Sequence, residues 1–177
     1  MTHTNPVLDL SAIPAETIGE LHRQAEACLD GTVQVAIAAD TRATTLAGIF
    51  GGGSVALLAG AATIVAGGNP DKFHALLVSA LVAAGAWFVA AMLCAWSGKP
   101  RDFFLGGYEP RLFAKSATDV TWMLRYATED MQVRIDHNRT TLASNARVLR
   151  WGFYIAILGV LASVGWFLFA TWSAGTP

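Results

Sequence analysis

Residues 44–70 read TTLAGIFGGGSVALLAGAATIVAGGNP, residues 75–98 read ALLVSALVAAGAWFVAAMLCAWSG, and residues 151–177 read WGFYIAILGVLASVGWFLFATWSAGTP. Each stretch exceeds twenty residues and contains no Asp, Glu, Lys, Arg or His. The hydrocarbon core of a bilayer, about 30 Å thick, is crossed by about 20 apolar residues as helix. The reading that follows is an all-α integral membrane protein with three transmembrane helices and two long cytoplasmic amphipathic helices.

Working outward, the chain divides into a mobile N-terminal arm (1–13), a cytoplasmic helix (14–43), a first span (44–67) and a second span (75–97). An aromatic and basic juxtamembrane loop (98–115), a second cytoplasmic helix (116–150), a third span (151–172) and a tail (173–177) complete it. Composition agrees: 54% of residues are hydrophobic and 14% charged, against about 25% charged in a soluble domain. A net charge of −1 gives no basic field for nucleic acid. The expected partners are the lipid bilayer, further copies of the chain and other membrane proteins. Residues 1–40 carry Asp9, Glu16, Glu20, Glu26 and Asp30 with no apolar run before the first span, unlike a signal peptide. Residue 2 is Thr and the last residues are Ala-Gly-Thr-Pro, so no lipidation is expected at either.

Nine of the twelve Lys and Arg residues fall between Lys99 and Arg150, whereas the 67–74 turn holds only Lys72. Positive residues near span ends stay cytoplasmic, so the long loop and the N-terminus are placed inside and the C-terminus outside. Trp96, Trp151 and Trp172 lie at span ends, the level that indole rings favour. Trp87 and Trp166 lie deeper, against lipid or a neighbouring helix.

Pro14 suits the first turn of a helix. Ile18, Leu21, Ala25, Cys28, Thr32, Val35 and Ala39 then alternate three and four residues apart, as a packing seam does, with Gly31 as an interruption. No strong breaker follows before Leu46, so this helix can continue into the first span. Within that span Gly48, Gly52, Ala56 and Gly60 recur every four residues. Small residues on one face let helices approach closely in lipid, either in packing against the second span or in association between copies. Gly51, Gly52 and Gly53 together are a candidate hinge. Gly67 to Asp71 is a dense turn signal. Phe103, Phe104, Tyr108 and Phe113, interleaved with Arg101 and Arg111, suit a headgroup layer or a partner-binding loop. The second cytoplasmic helix, capped by Ser116 or Thr118 with Asp119 in its first turn, repeats at Val120, Leu124, Ala127, Met131, Ile135, Leu142 and Leu149. Asn138 and Asn145 fill the two missing positions, where asparagine fixes register or partner choice. The helix-packing and oligomerisation residues are therefore Gly48, Gly52, Ala56, Gly60, Asn138 and Asn145.

Chemistry is harder to find. No span interior carries an ionisable residue of the kind transport uses. His3, His22, His74 and His137 are scattered, and the neighbours Asp136 and His137 diverge by about 100° on a helix, so they form no chelating pair. No metal, haem or other cofactor is expected. No nucleophile elbow occurs, and residues 51–53 lack the Lys of a phosphate-binding loop. Glu129 and Asp130 read as a solvated face, and Cys28 and Cys94 as small apolar fillers. The expected protein is not an enzyme; it acts by helix association, with a membrane-perturbing effector or small oligomeric channel as the alternative.

Two segments carry a resemblance: Ala38-Ala39-Asp40-Thr41-Arg42-Ala43-Thr44-Thr45-Leu46-Ala47-Gly48-Ile49-Phe50, entering the first span, and Ile135-Asp136-His137-Asn138-Arg139-Thr140 with Asn145-Ala146-Arg147, leading into the last. Together they are similar to membrane modules of bacterial antiphage effectors, the Pycsar transmembrane effectors and SLATT-type proteins. The resemblance implies a bacterial inner-membrane protein whose cytoplasmic helices control assembly of its spans. No nucleotide-sensing domain is identified in residues 1–177, so the resemblance does not imply ligand-gated killing.

Overall fold

The computed structural model describes residues 10–68, 73–99, 101–107 and 119–174. The expected arm over 1–9, the turn residues 69–71, Tyr108, Phe113, the caps Ser116 and Thr118, and the last three residues of the tail lie outside them. Among the described residues the regular structure is three α-helices: α1 (Ala15–Ala66), α2 (His74–Ser97) and α3 (Val120–Ala174). All three are long and apolar enough to cross a membrane. Residues 14–43 and 116–150 are not separate elements; their described helical parts begin α1 and α3. Gly31 does not interrupt α1, and Gly51 to Gly53 make no break in it. One interior glycine costs about 1 kcal/mol relative to Ala, too little to break a long helix packed on both sides of it.

The chain forms two compact units, Met1–Ala38 with Arg101–Ala143 and Ala39–Pro100 with Ser144–Pro177. In the first, a turn closed by the Ile13 N–H on the Leu10 carbonyl (3.1 Å) leads into α1, and the Pro14 carbonyl accepts the N–H groups of Thr17 and Ile18. Leu10, expected within a mobile arm, is only 1% exposed. The core is Leu29, Met131 and Ile135, flanked by Ala25 and Cys28. In this stretch of α1 the buried positions are Ile18, Leu29, Thr32 and Ala36, while Val35 is 58% exposed. The buried stripe keeps the 3.6-residue period of a straight helix. A three-and-four spacing slips off it by one residue and lands on Val35 instead of Ala36. On α3, Ala127, Met131, Ile135 and Asn138 are buried and Val120 is exposed. Asp119, expected in the first turn of this helix, accepts the Thr121 N–H on its Oδ1 at 2.8 Å.

In the second unit, α2 packs against the α1 and α3 stretches through small residues. Phe50, Ala90, Cys94 and Ala156 form the core, with Leu46, Trp87 and Leu149 against it. Serine hydroxyls join the helices: Ser54 Oγ donates to the Ala84 carbonyl, Ser163 Oγ to Ser79 and Ser97 Oγ to Asn145, each at 2.9 Å. Large side chains such as Val55, Leu58, Leu161, Leu168 and Trp172 point outward, as suits helices whose solvent is hydrocarbon.

Candidate functional site

Asn138 is fully buried and satisfied on both sides of its amide. Its Nδ2 donates to Thr32 Oγ1 and to the Phe104 carbonyl, each at 3.0 Å, and its Oδ1 accepts the Phe104 N–H at 3.0 Å. Thr32 passes the chain on, donating to the Leu29 carbonyl at 2.7 Å. One side chain on α3 thereby ties α1 to the 101–107 segment. The Phe104 ring is held from outside by the Arg134 guanidinium, 5.6 Å from its centroid, and by an edge-on His137 ring at 5.1 Å. The segment then passes against α1: a Cβ on Gly106 would meet Asp30 Oδ1 at 2.6 Å, and Gly107 has φ +88°, a region glycine enters without steric cost. The position of Asn138 in the α3 stripe signals its importance. Thr32 likewise stands in the α1 seam and Phe104 in the aromatic loop, but nothing in their spacing records that Asn138 joins them.

Around this clasp the unit places its polar groups in short local sets. His22 Nδ1 lies 3.2 Å from Thr128 Oγ1, which also lies 2.7 Å from the Leu124 carbonyl. Which of His22 and Thr128 donates is set by the His22 tautomer. Arg125 Nη2 donates to the Ile13 carbonyl at 2.6 Å and so pins the entry turn. On the outer face Glu20 accepts two hydrogen bonds from Arg23 and one from Gln24. The Arg23 bonds, more than the Gln24 bond, draw its carboxyl down to about 2, and the same pairing raises Arg23. Asp130, expected on a solvated face, pairs with Arg134 at 2.7 Å. Beside these groups the two helical stretches and the entry turn line a half-open cavity of about 320 Å³.

In the second unit the four-spaced face does not meet α2. Gly48, Gly52, Ala56 and Gly60 are exposed, and nothing lies within 4 Å of where a Cβ would stand on any of the three glycines. Their neighbours one position round the helix make the contact instead. A Cβ on Gly53 would fall 2.0 Å from the Trp87 ring, and one on Gly51 would meet Ala91 at 3.9 Å. Phe50 and Trp87 complete this contact with ring centroids 5.9 Å apart. The third span, although bulky in composition, has a small face of its own. Gly152 lies against Ala90, Leu93 and Cys94, and a Cβ on Gly159 would fall 2.1 Å from Ala86. Asn145 is buried with its Oδ1 unpaired, and its backbone carbonyl receives the Ser97 hydroxyl. Among the described residues no three His, Cys, Asp or Glu side chains are grouped to hold a metal ion. The chain matches no protein-family model, no curated protein and no solved structure.

Proposed function

We propose that this is a non-enzymatic, multi-pass protein of the bacterial inner membrane that acts by helix association. In this reading it is a self-assembling module or an accessory subunit of a membrane complex. The N-terminal stretches of α1 and α3 are its cytoplasmic amphipathic helices, its N-terminus is cytoplasmic and its C-terminus periplasmic, as the clustering of Lys and Arg between residues 99 and 150 supports. The observation that carries the reading is the outward face of α1. Gly48, Gly52 and Gly60 leave their Cβ positions open, and Ala56 between them is exposed. In lipid, close backbone approach is what drives helices together, and the second span is packed on a different face of α1. The likeness of residues 38–50 and 135–147 to the antiphage membrane modules points the same way.

Chemical crosslinking in native membranes tests it. The expected product is an adduct larger than the monomer that Gly52→Leu abolishes while the variant still inserts. Recovery of monomer alone, with no co-purifying partner, would sink the reading, as would an adduct indifferent to Gly52→Leu and Gly48→Leu.

A further inference from the structure

None of the residues assigned to helix association is among those that line the cavity in the first unit. It holds about 320 Å³, the low end of the range of about 300–1,000 Å³ found for small-molecule sites, and so fits one small ligand. Short side chains, Ala25 and Cys28 on α1 and Thr128 on α3, are among those that line it, together with Leu10 and Ile13 of the entry turn. That turn is held at Ile13, by its own backbone bond to Leu10 and by Arg125 on the Ile13 carbonyl.

The lining has two characters. Leu10, Ile13, Leu21 and Ile135 give an apolar wall, and Gln24, Gln132 and Arg139 give a polar edge. Among the described residues that line it, Arg139 is the single formally charged one and none is a carboxylate. The nearby acids are engaged on their own helices, Glu20 with Arg23 and Gln24 and Asp136 with Gln132. Arg139 is exposed at the edge, and its Nη2 is spent on Cys28 Sγ at 3.7 Å, a weak acceptor. A carboxylate, which accepts a guanidinium bidentately with charge assistance, would displace that contact.

We propose that this cavity binds a single-chain amphiphilic anion, an alkyl carboxylate of medium length. Its chain lies against the wall of Leu10, Leu21 and Ile135, and its headgroup is taken by Arg139. Cys28 sits in the wall, so an occupant shields its thiol.

The test uses full-length protein in lipid nanodiscs, free of competing detergent, with Cys94→Ala leaving Cys28 as the one thiol. The probes are decanoate, decanol and decyltrimethylammonium, and the readouts are the rate of maleimide labelling at Cys28 and equilibrium dialysis of labelled decanoate. Decanoate is expected to bind and to slow labelling roughly tenfold more than decanol does, the scale of a charge-assisted hydrogen bond. Arg139→Gln is expected to erase the difference between decanoate and decanol, and Ala25→Leu, which fills the cavity, to remove protection by both. Absence of decanoate binding would overturn the proposal. Equal protection by decanol or by the cationic amphiphile, or protection unchanged in Arg139→Gln, would overturn it as well.

Discussion

Asn138 holds Phe104 by the backbone, accepting its N–H and donating to its C=O, both at 3.0 Å. A side-chain amide here does what a neighbouring strand would do in a sheet: it satisfies both polar groups of a residue that belongs to no regular element. The grip is independent of the Phe104 side chain, which is 42% exposed and packs on Arg134 and His137.

Replacing Asn138 by Leu should therefore release the segment while keeping the volume of the site. Two backbone groups of Phe104 and the Thr32 hydroxyl lose a partner, at about 1–3 kcal/mol for a buried group left unpaired. Hydrogen exchange at the Phe104 amide is expected to accelerate, with a lower unfolding temperature. An amide that exchanges as slowly in Asn138→Leu as in the parent would show that the clasp does not hold the segment.

Adjacent glycines should respond in opposite directions. At Gly52 the Cβ position is open, so Gly52→Ala gains helix propensity, up to about 1 kcal/mol, with no internal clash. At Gly53 a Cβ falls 2.0 Å from the broad, stiff Trp87 ring, and overpacking costs about 1–3 kcal/mol, which outweighs the same gain. Thermal unfolding of monomer in detergent should place Gly53→Ala below the parent and Gly52→Ala at or above it. The reverse order would mean that α1 presents a different face to α2.

The serine bonds between helices are expected to be modest. Ser54→Ala and Ser163→Ala each remove a donor to a carbonyl that lies within α2, so the cost should be about 0.6 kcal/mol, as for other interhelical bonds in membranes. Ser54→Leu should cost several times more, because Ser54 is 2% exposed and leaves no space for the larger side chain. Equal unfolding temperatures for Ser54→Ala and Ser54→Leu would contradict this packing.

Glu20 supplies a pH signature. Its folded value, about 2, lies below the ordinary 4.5 because Arg23, and then Gln24, bond its charged form. The stabilisation is complete above about 4.5 and is lost as pH falls through about 2; the pair's exposure to solvent keeps it small and sensitive to salt. The Glu20 carboxyl carbon resonance should titrate near 2 and move towards 4.5 in Arg23→Gln. A midpoint unmoved by that substitution would remove Arg23 as the cause.

The amino-acid sequence determined by itself that three helices are long and apolar enough to cross a membrane, since stretches without charge admit no other satisfied backbone in lipid. It also determined the buried stripe of α3 around Met131, Ile135 and Asn138, because in that polar helix burial leaves a 3.6-residue trace. Only the tertiary structure decided which face of α1 turns inward. Residues 44–67 are apolar or small all round, glycine stands both at Gly52 and at Gly53, and a rotation of about 100° separates an open face from one closed on Trp87. The partners of Asn138, the small face of α3 at Gly152 and Gly159, and the cavity beside Cys28 were likewise settled by packing. Each depends on contacts between residues remote in the chain, and no local pattern of residue types records such a contact.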